Sequence, residues 1–224
     1  MRLLNTKTVQ LEEFNEADCP RYAILSHTWG NGEVTFQELQ QEKTPAQKAG
    51  YEKIVKTCRE ALARGLNYAW VDTCCIDKSS SAELSEVINS MFRWYAKAEV
   101  CFAYLSDIRT GASFRKLVES RWFTRGWTLQ ELIAPPMLLF FDNNWQLIGN
   151  RSAFRFLIAS STGIGADFLR DDMTDIHHRL GFASVAQRMS WAAKRNTTRV
   201  EDLAYCLLGI FDINMPLLYG EGNR

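Results

Sequence analysis

Residues 120–136, SRWFTRGWTLQELIAPP, set one carboxylate, Glu131, among two tryptophans (Trp122, Trp127) and two arginines (Arg121, Arg125). Helical spacing places Glu131 one turn after Trp127 and on the same face. Gly126 frees the backbone just before that helix, and Pro135 stops it soon after. An acid beside aromatic planes and guanidinium groups suits a planar, cationic, phosphate-bearing ligand. Residue chemistry alone favours a simpler alternative, a short surface helix whose tryptophans pack inward and whose Glu131 is solvated.

Further polar groups fall where strands are expected to end: Ser26 with His27, Asp72 with Thr73, and Ser106 with Asp107. Ligands of open α/β sheets collect at the carboxyl ends of the strands, so convergence of these groups with residues 120–131 would form a pocket without a glycine-rich fingerprint. His27, beside Trp29, equally suits a hydrogen bond to a turn carbonyl. Asp72 and Asp77 bracket a loop, and Asp77 in particular suits a cap of the next helix. Trp122 and Trp127 belong to a residue type found in cores more often than on stacking platforms. Arg188, Trp191 and Arg195 recur at helical spacing, and two guanidinium groups around an indole suit either a pyrophosphate or an acidic patch of the fold. Thr198 with Glu201 reads as a capping box.

The elements that must hold these groups follow from hydropathy patterning. Residues 22–26 (YAILS), 68–72 (YAWVD) and 100–105 (VCFAYL) read as short buried strands. Thr35 with Glu38, and Ser80 with Glu83, have the capping-box signature. Apolar spacing over residues 46–64, closed by Gly65, predicts one amphipathic helix, and the stripe Leu84, Val87, Ile88, Met91, Phe92, Tyr95 predicts another. Alternating strands and helices predict a parallel sheet covered on both faces. After Pro136 the pattern changes: MLLFF, a DNN turn and WQLIG predict a β-hairpin, and the remainder reads as helical. The expected organisation is an α/β core over residues 1–150 with a mainly helical extension, residues 151–224, packed on it. The terminal GEGNR reads as lying near a domain edge within a longer protein.

A chain of 224 residues with 46% hydrophobic content buries a substantial core. Lys plus Arg balances Asp plus Glu at 26 each, which gives no broad attraction to nucleic acid or anionic membrane, so no nucleic-acid partner is expected. No apolar run approaches the ~20 residues that span a bilayer, and the N-terminus has no secretory pattern, so the expected location is cytoplasmic. Cys19, Cys58, Cys74, Cys75, Cys101 and Cys206 show no framework spacing, and with three histidines no metal site is expected. The phosphate-loop, dinucleotide and nucleophile-elbow glycine motifs do not occur, which argues against a P-loop NTPase, a conventional Rossmann dehydrogenase and an α/β-hydrolase.

Three blocks resemble the fungal heterokaryon-incompatibility (HET) domain: YAILSHTWG with EVTF; WVDTCCID through INSMFRWY and YLSD to RWFTRGWTLQELIAP; and RMSWAAKRNTTRVEDLAYCLLGIFDINMPLLYGEG. They cover most of the chain in the family's order. The chain is most similar to HET domains at the N-terminus of large incompatibility proteins carrying a nucleotide-binding domain and WD repeats. More remotely, HET domains resemble Toll/interleukin receptor (TIR) domains, which implies a TIR-like, flavodoxin-like parallel sheet. The TIR pattern W-C-x-x-E-L, whose glutamate is catalytic in NAD-cleaving members, matches Trp127, Thr128, Glu131 and Leu132, with threonine replacing the usual cysteine. The resemblance implies a cell-death effector of nonself recognition that hydrolyses NAD when self-associated, with Glu131 catalytic. It would take NAD as substrate rather than as a bound cofactor, and downstream domains would regulate it. Ser26, His27, Trp29, Asp72, Trp122, Arg125, Trp127, Arg188, Trp191 and Arg195 are the candidates for holding substrate. Two rivals stand beside this: a non-enzymatic oligomerising module, and a toxin acting on another nucleotide or nucleic acid.

Overall fold

The apolar run YAILSH is buried at every position, as a central parallel strand covered on both faces must be. In the computed structural model, which describes residues 1–41, 47–172, 176–220 and 222, this run lies inside a seven-stranded sheet. Its strands are β1 (Arg2–Asn5), β2 (Leu11–Glu13), β3 (Tyr22–His27), β4 (Tyr68–Trp70), β5 (Val100–Tyr104), β6 (Leu138–Phe141) and β7 (Leu147–Asn150), ordered β2-β1-β4-β3-β5-β6-β7. Strands β4, β3, β5 and β6 run parallel, and β1, β2 and β7 pair antiparallel at the edges. The three strands expected from the sequence thus share one parallel sheet. The expected hairpin is β6–β7, and its first strand also extends the parallel sheet beside β5. The β1–β2 hairpin was not expected, because its strands are too short to carry a legible alternation.

Among the described residues the helices are α1 (Phe36–Leu39), α2 (Ala49–Ala63), α3 (Ser81–Lys97), α4 (Phe114–Leu117), α5 (Thr128–Ile133), α6 (Arg155–Thr162), α7 (Ile176–Leu180), α8 (Val185–Ala192) and α9 (Asp202–Tyr205). After residue 150 the regular elements among the described residues are helices α6 to α9 and short 3-10 turns, joined by irregular segments. The expected start of α2 at Ala46, and Glu221, Asn223 and Arg224 of the terminal GEGNR, lie outside the described residues. Among the described residues no helix is long and apolar enough to cross a membrane. From β3 the chain passes through α2 to β4 on one side, then through α3 back across to β5. Right-handed crossovers in opposite directions put α2 and α3 on opposite faces of the sheet.

Local signals end these helices. Gly65, at φ +74°, closes α2, with Gly65 N bonded to Leu62 O (2.9 Å) and Leu66 N to Ala61 O (3.0 Å), a Schellman pattern. The Thr35–Glu38 capping box forms in full. The Ser80–Glu83 box forms by half: Ser80 accepts from Glu83 N, but the Glu83 carboxylate is drawn to Arg2 (2.5 Å) and to Asp77 N (2.8 Å). Asp77 does not cap α3 as expected; it accepts from Ser79 N at 2.9 Å, an Asx turn within the loop. The Thr198–Glu201 box does not form either, because Glu201 accepts instead from Gly220 N (2.8 Å) and tethers the C-terminal segment.

Residues 125 and 196 form a parallel bridge, with Gly126 N donating to Asn196 O at 2.8 Å. A Cβ on Gly126 would lie 2.5 Å from Thr197 Cγ2, so any side chain there would force Thr197 to shift. Arg151, fully buried, donates to the carbonyls of Leu132 (2.7 Å), Pro135 (2.9 Å) and Arg170 (2.5 Å) and pairs with Asp171 at 3.1 Å. This satisfies the carbonyls that the end of α5 leaves open and ties the helical extension to the sheet.

Candidate functional site

Helix α5 is buried along its whole length, so Glu131 is not solvated: the residue is 6% exposed. Three contacts build its surroundings. Ser26, pointing from β3, donates its hydroxyl to the Glu131 carboxyl. Trp122, itself fully buried, donates its indole N–H to Ser26 Oγ at 2.7 Å. Tyr95 of α3 donates to Leu25 O at 3.0 Å and also lies in hydrogen-bonding reach of the carboxyl. Among the described residues no cation stands at ion-pair distance from Glu131. Burial, reinforced by the charge of Asp72, pushes its carboxyl up to about 8, against the lowering effects of Ser26, Arg125 and Tyr95. At neutral pH the carboxyl is therefore mainly protonated.

His27, the next residue on β3, faces the other side of the sheet, as strand alternation requires. Its Nε2 lies 3.0 Å from Asp72 Oδ1, and Trp29 Nε1 donates to Asp72 Oδ2 at 2.8 Å. Lys53 of α2 stands 3.0 Å from His27 Nδ1 and pairs with Glu33. A lysine donor at Nδ1 leaves the ring proton on Nε2, directed at Asp72. Lys78 Nζ sits 3.5 Å over the Trp29 ring, a cation–π contact. Burial alone would raise Asp72, but Lys78, His27 and Trp29 together outweigh it and hold the carboxyl down to about 2.

The candidate residues therefore fall into two clusters rather than the one expected cleft: Ser26, Trp122 and Glu131 on one face of β3, and His27, Trp29 and Asp72 on the other. Asp72 links them, since its charge acts on Glu131. Trp127 is half-buried against the core, and Arg125 is half-buried with its charge felt at Glu131. Arg188, Trp191 and Arg195 do not form one stripe, because α8 ends at Ala192, before Arg195. Arg188 donates to Ile210 O at 3.0 Å and stacks on Phe211, while Trp191 is buried against Phe168. Arg195, also buried, donates to Arg125 O and Thr128 Oγ1, both at 2.9 Å. Of the three, Arg195 alone bonds the segment that carries Glu131. Asp107 and Ser106, expected at the same edge, part company. Asp107 accepts from Ser120 Oγ (2.6 Å) and Arg121 N (2.8 Å), whereas Ser106 lines a separate cavity of about 400 Å³ between the exits of β3 and β5.

Sequence reasoning missed Tyr95 and Thr128. Tyr95 was read as one apolar position in a helical stripe, although a buried tyrosine hydroxyl must find a polar partner, and that was the available signal. Thr128 donates to the carbonyl of Trp122, fixing the turn into α5.

Fold and site define a doubly wound α/β domain with a buried carboxyl, hydrogen-bonded by Ser26, at the carboxyl edge of its sheet. Residues 22–114 match the family model described as heterokaryon incompatibility protein (HET). Over 218 residues the chain is 47% identical to the vegetative incompatibility protein HET-E-1 of Podospora anserina. The match takes in 92% of this chain and 15% of that relative's length. The chain belongs to the HET family. No solved structure shows a significant match to it.

Proposed function

We propose that this chain is the cell-death effector part of a fungal nonself-recognition protein, and that copies brought together in the cytoplasm cleave the nicotinamide–ribose bond of NAD. The incompatibility role is supported by the similarity to HET-E-1. The catalytic reading is supported by one observation above the others: a buried carboxyl with no cation at ion-pair distance among the described residues, raised to about 8, at the edge where doubly wound sheets bind ligands. An acid in such a position is expensive to keep for folding alone. The motif resemblance to TIR domains, through Trp127, Glu131 and Leu132, points the same way.

In this reading NAD is substrate, with no permanently bound cofactor. Nicotinamide leaves as a neutral base, so no general acid is needed, and positive charge develops on the ribose. An ionised Glu131 stabilises that charge, water adds to the anomeric carbon, and ADP-ribose, nicotinamide and a proton are the products. The cationic ribosyl-nicotinamide group itself favours the ionised carboxylate. In the resting chain Glu131 is closed off, so self-association has to open the site, and regulation by further domains of a longer chain acts on that step.

The burial of Glu131 also favours a second reading, in which α5 is an internal brace and the domain works as a non-enzymatic oligomerising module. Incubating concentrated domain, fused to a forced oligomer, with NAD and measuring free nicotinamide tests the choice. Release proportional to protein supports the hydrolase, and none at any concentration rejects it.

A further inference from the structure

We propose that the cavity between the exits of β3 and β5 is a second binding site, for a phosphorylated sugar such as the ribose phosphate of a mononucleotide, independent of Glu131. Its volume of about 400 Å³ suits a ligand of that size. It sits at the point where the chain leaves β3 in one direction and enters β5 from the other, the switch point at which doubly wound sheets bind ligands. Tyr104 reaches it from the end of β5, Ser106 and Thr28 from just beyond β5 and β3, and Lys53 and Lys56 from α2.

The lining chemistry selects the ligand class. Lys53 is neutralised by Glu33. Lys56 is half-buried, lines the cavity and has no ion-pair partner among the described residues, which leaves one cation for a phosphate. The remaining polar lining is Glu52, a carboxylate one turn before Lys56 on α2, together with neutral groups such as Thr28, Ser106, Asn143 and Asn144, all of which can bond the hydroxyls of a sugar. Trp145 does not offer a stacking platform, because its ring is already stacked on Tyr104 (4.9 Å, 18°), so recognition rests on sugar and phosphate more than on a base.

The far wall is held rigidly and is locally strained. Trp145 holds a left-handed φ of 61°, uncommon for a bulky residue. Around it Asp142 accepts from Asn144 N (2.8 Å), Gln146 N (2.9 Å) and Thr110 Oγ1 (2.6 Å), and Tyr104 donates to Asn143 O (3.1 Å). These bonds over-determine the β6–β7 turn and fix Asn143 and Asn144 at the cavity.

Titration calorimetry of the chain with AMP, ribose 5-phosphate, adenosine and inorganic phosphate tests the proposal, and its readout is independent of NAD cleavage. Saturable binding of AMP, of ribose 5-phosphate or of both is expected, with adenosine and inorganic phosphate at least ~10-fold weaker. AMP alone identifies a nucleotide, and ribose 5-phosphate a free sugar phosphate. Lys56→Gln should weaken binding by at least ~10-fold with an unchanged circular dichroism spectrum, and Asn144→Asp, which sets a carboxylate against the phosphate, should do the same. Failure of both phosphorylated probes to bind overturns the proposal. So does equal binding of adenosine or of inorganic phosphate, or wild-type affinity in both folded variants.

Discussion

Ser26, on the central strand, donates its hydroxyl to Glu131, a residue 105 positions later in the chain. That bond is the only direct tie between β3 and the carboxyl among the described hydrogen bonds, and Trp122 holds the serine in place from behind. The site is thus assembled by the sheet and two helices together, and its protonation state is a property of the fold.

Replacing Glu131 with Gln should change how stability depends on pH. A carboxyl raised from 4.5 to about 8 binds its proton more tightly in the folded than in the unfolded chain between those values. Wild-type stability therefore carries a penalty that grows as pH rises from about 4.5 to 8 and then levels off. Glu131→Gln removes the penalty. Urea unfolding at pH 5 and at pH 8 should show the variant gaining on wild type at the higher pH, by at most ~5 kcal/mol. A constant difference across that range would contradict the raised carboxyl.

Ser26→Ala and Asp72→Asn should move the Glu131 titration in opposite directions. Losing the serine removes a donor that lowers the carboxyl, so the midpoint rises, and the orphaned Trp122 N–H costs about 1–3 kcal/mol. Neutralising Asp72 removes a charge that raises it, so the midpoint falls. Carbon-13 NMR of labelled glutamate follows both shifts. Shifts of the same sign in the two variants would show that the two clusters are not coupled as described.

Arg151→Met should destabilise the chain by about 3–5 kcal/mol, because it leaves Asp171 buried and unpaired and the carbonyls at the end of α5 unserved. Thermal unfolding measures this. A loss under ~1 kcal/mol would mean that the extension is not clamped to the sheet through this residue.

How far the sequence carried can be seen in particular elements. Strands β3, β4 and β5 were legible because continuous apolar runs between turn signals have few other uses. The α3 stripe and the Thr35 cap were legible for the same local reason. The burial of Glu131 was not legible, since an isolated acid on a short helix is ordinarily solvated. The Arg188–Arg195 stripe does not form because α8 stops before Arg195, and both guanidinium groups donate to backbone carbonyls. Arg151 could not be recognised at all: nothing near it in sequence indicates the five carbonyls it serves, which converge only when the chain is folded.

The central claim is that the Glu131 charge drives NAD cleavage in clustered copies. The direct test is nicotinamide release by wild type and by Glu131→Gln, each forced into the same oligomer at matched concentration. Glutamine keeps size and hydrogen-bonding capacity and removes the charge, so turnover should fall by at least ~100-fold while the oligomer and its fold persist. Equal cell killing by both proteins with no NAD consumed by either would contradict the claim, and Glu131 would then be a buried brace of an interaction module.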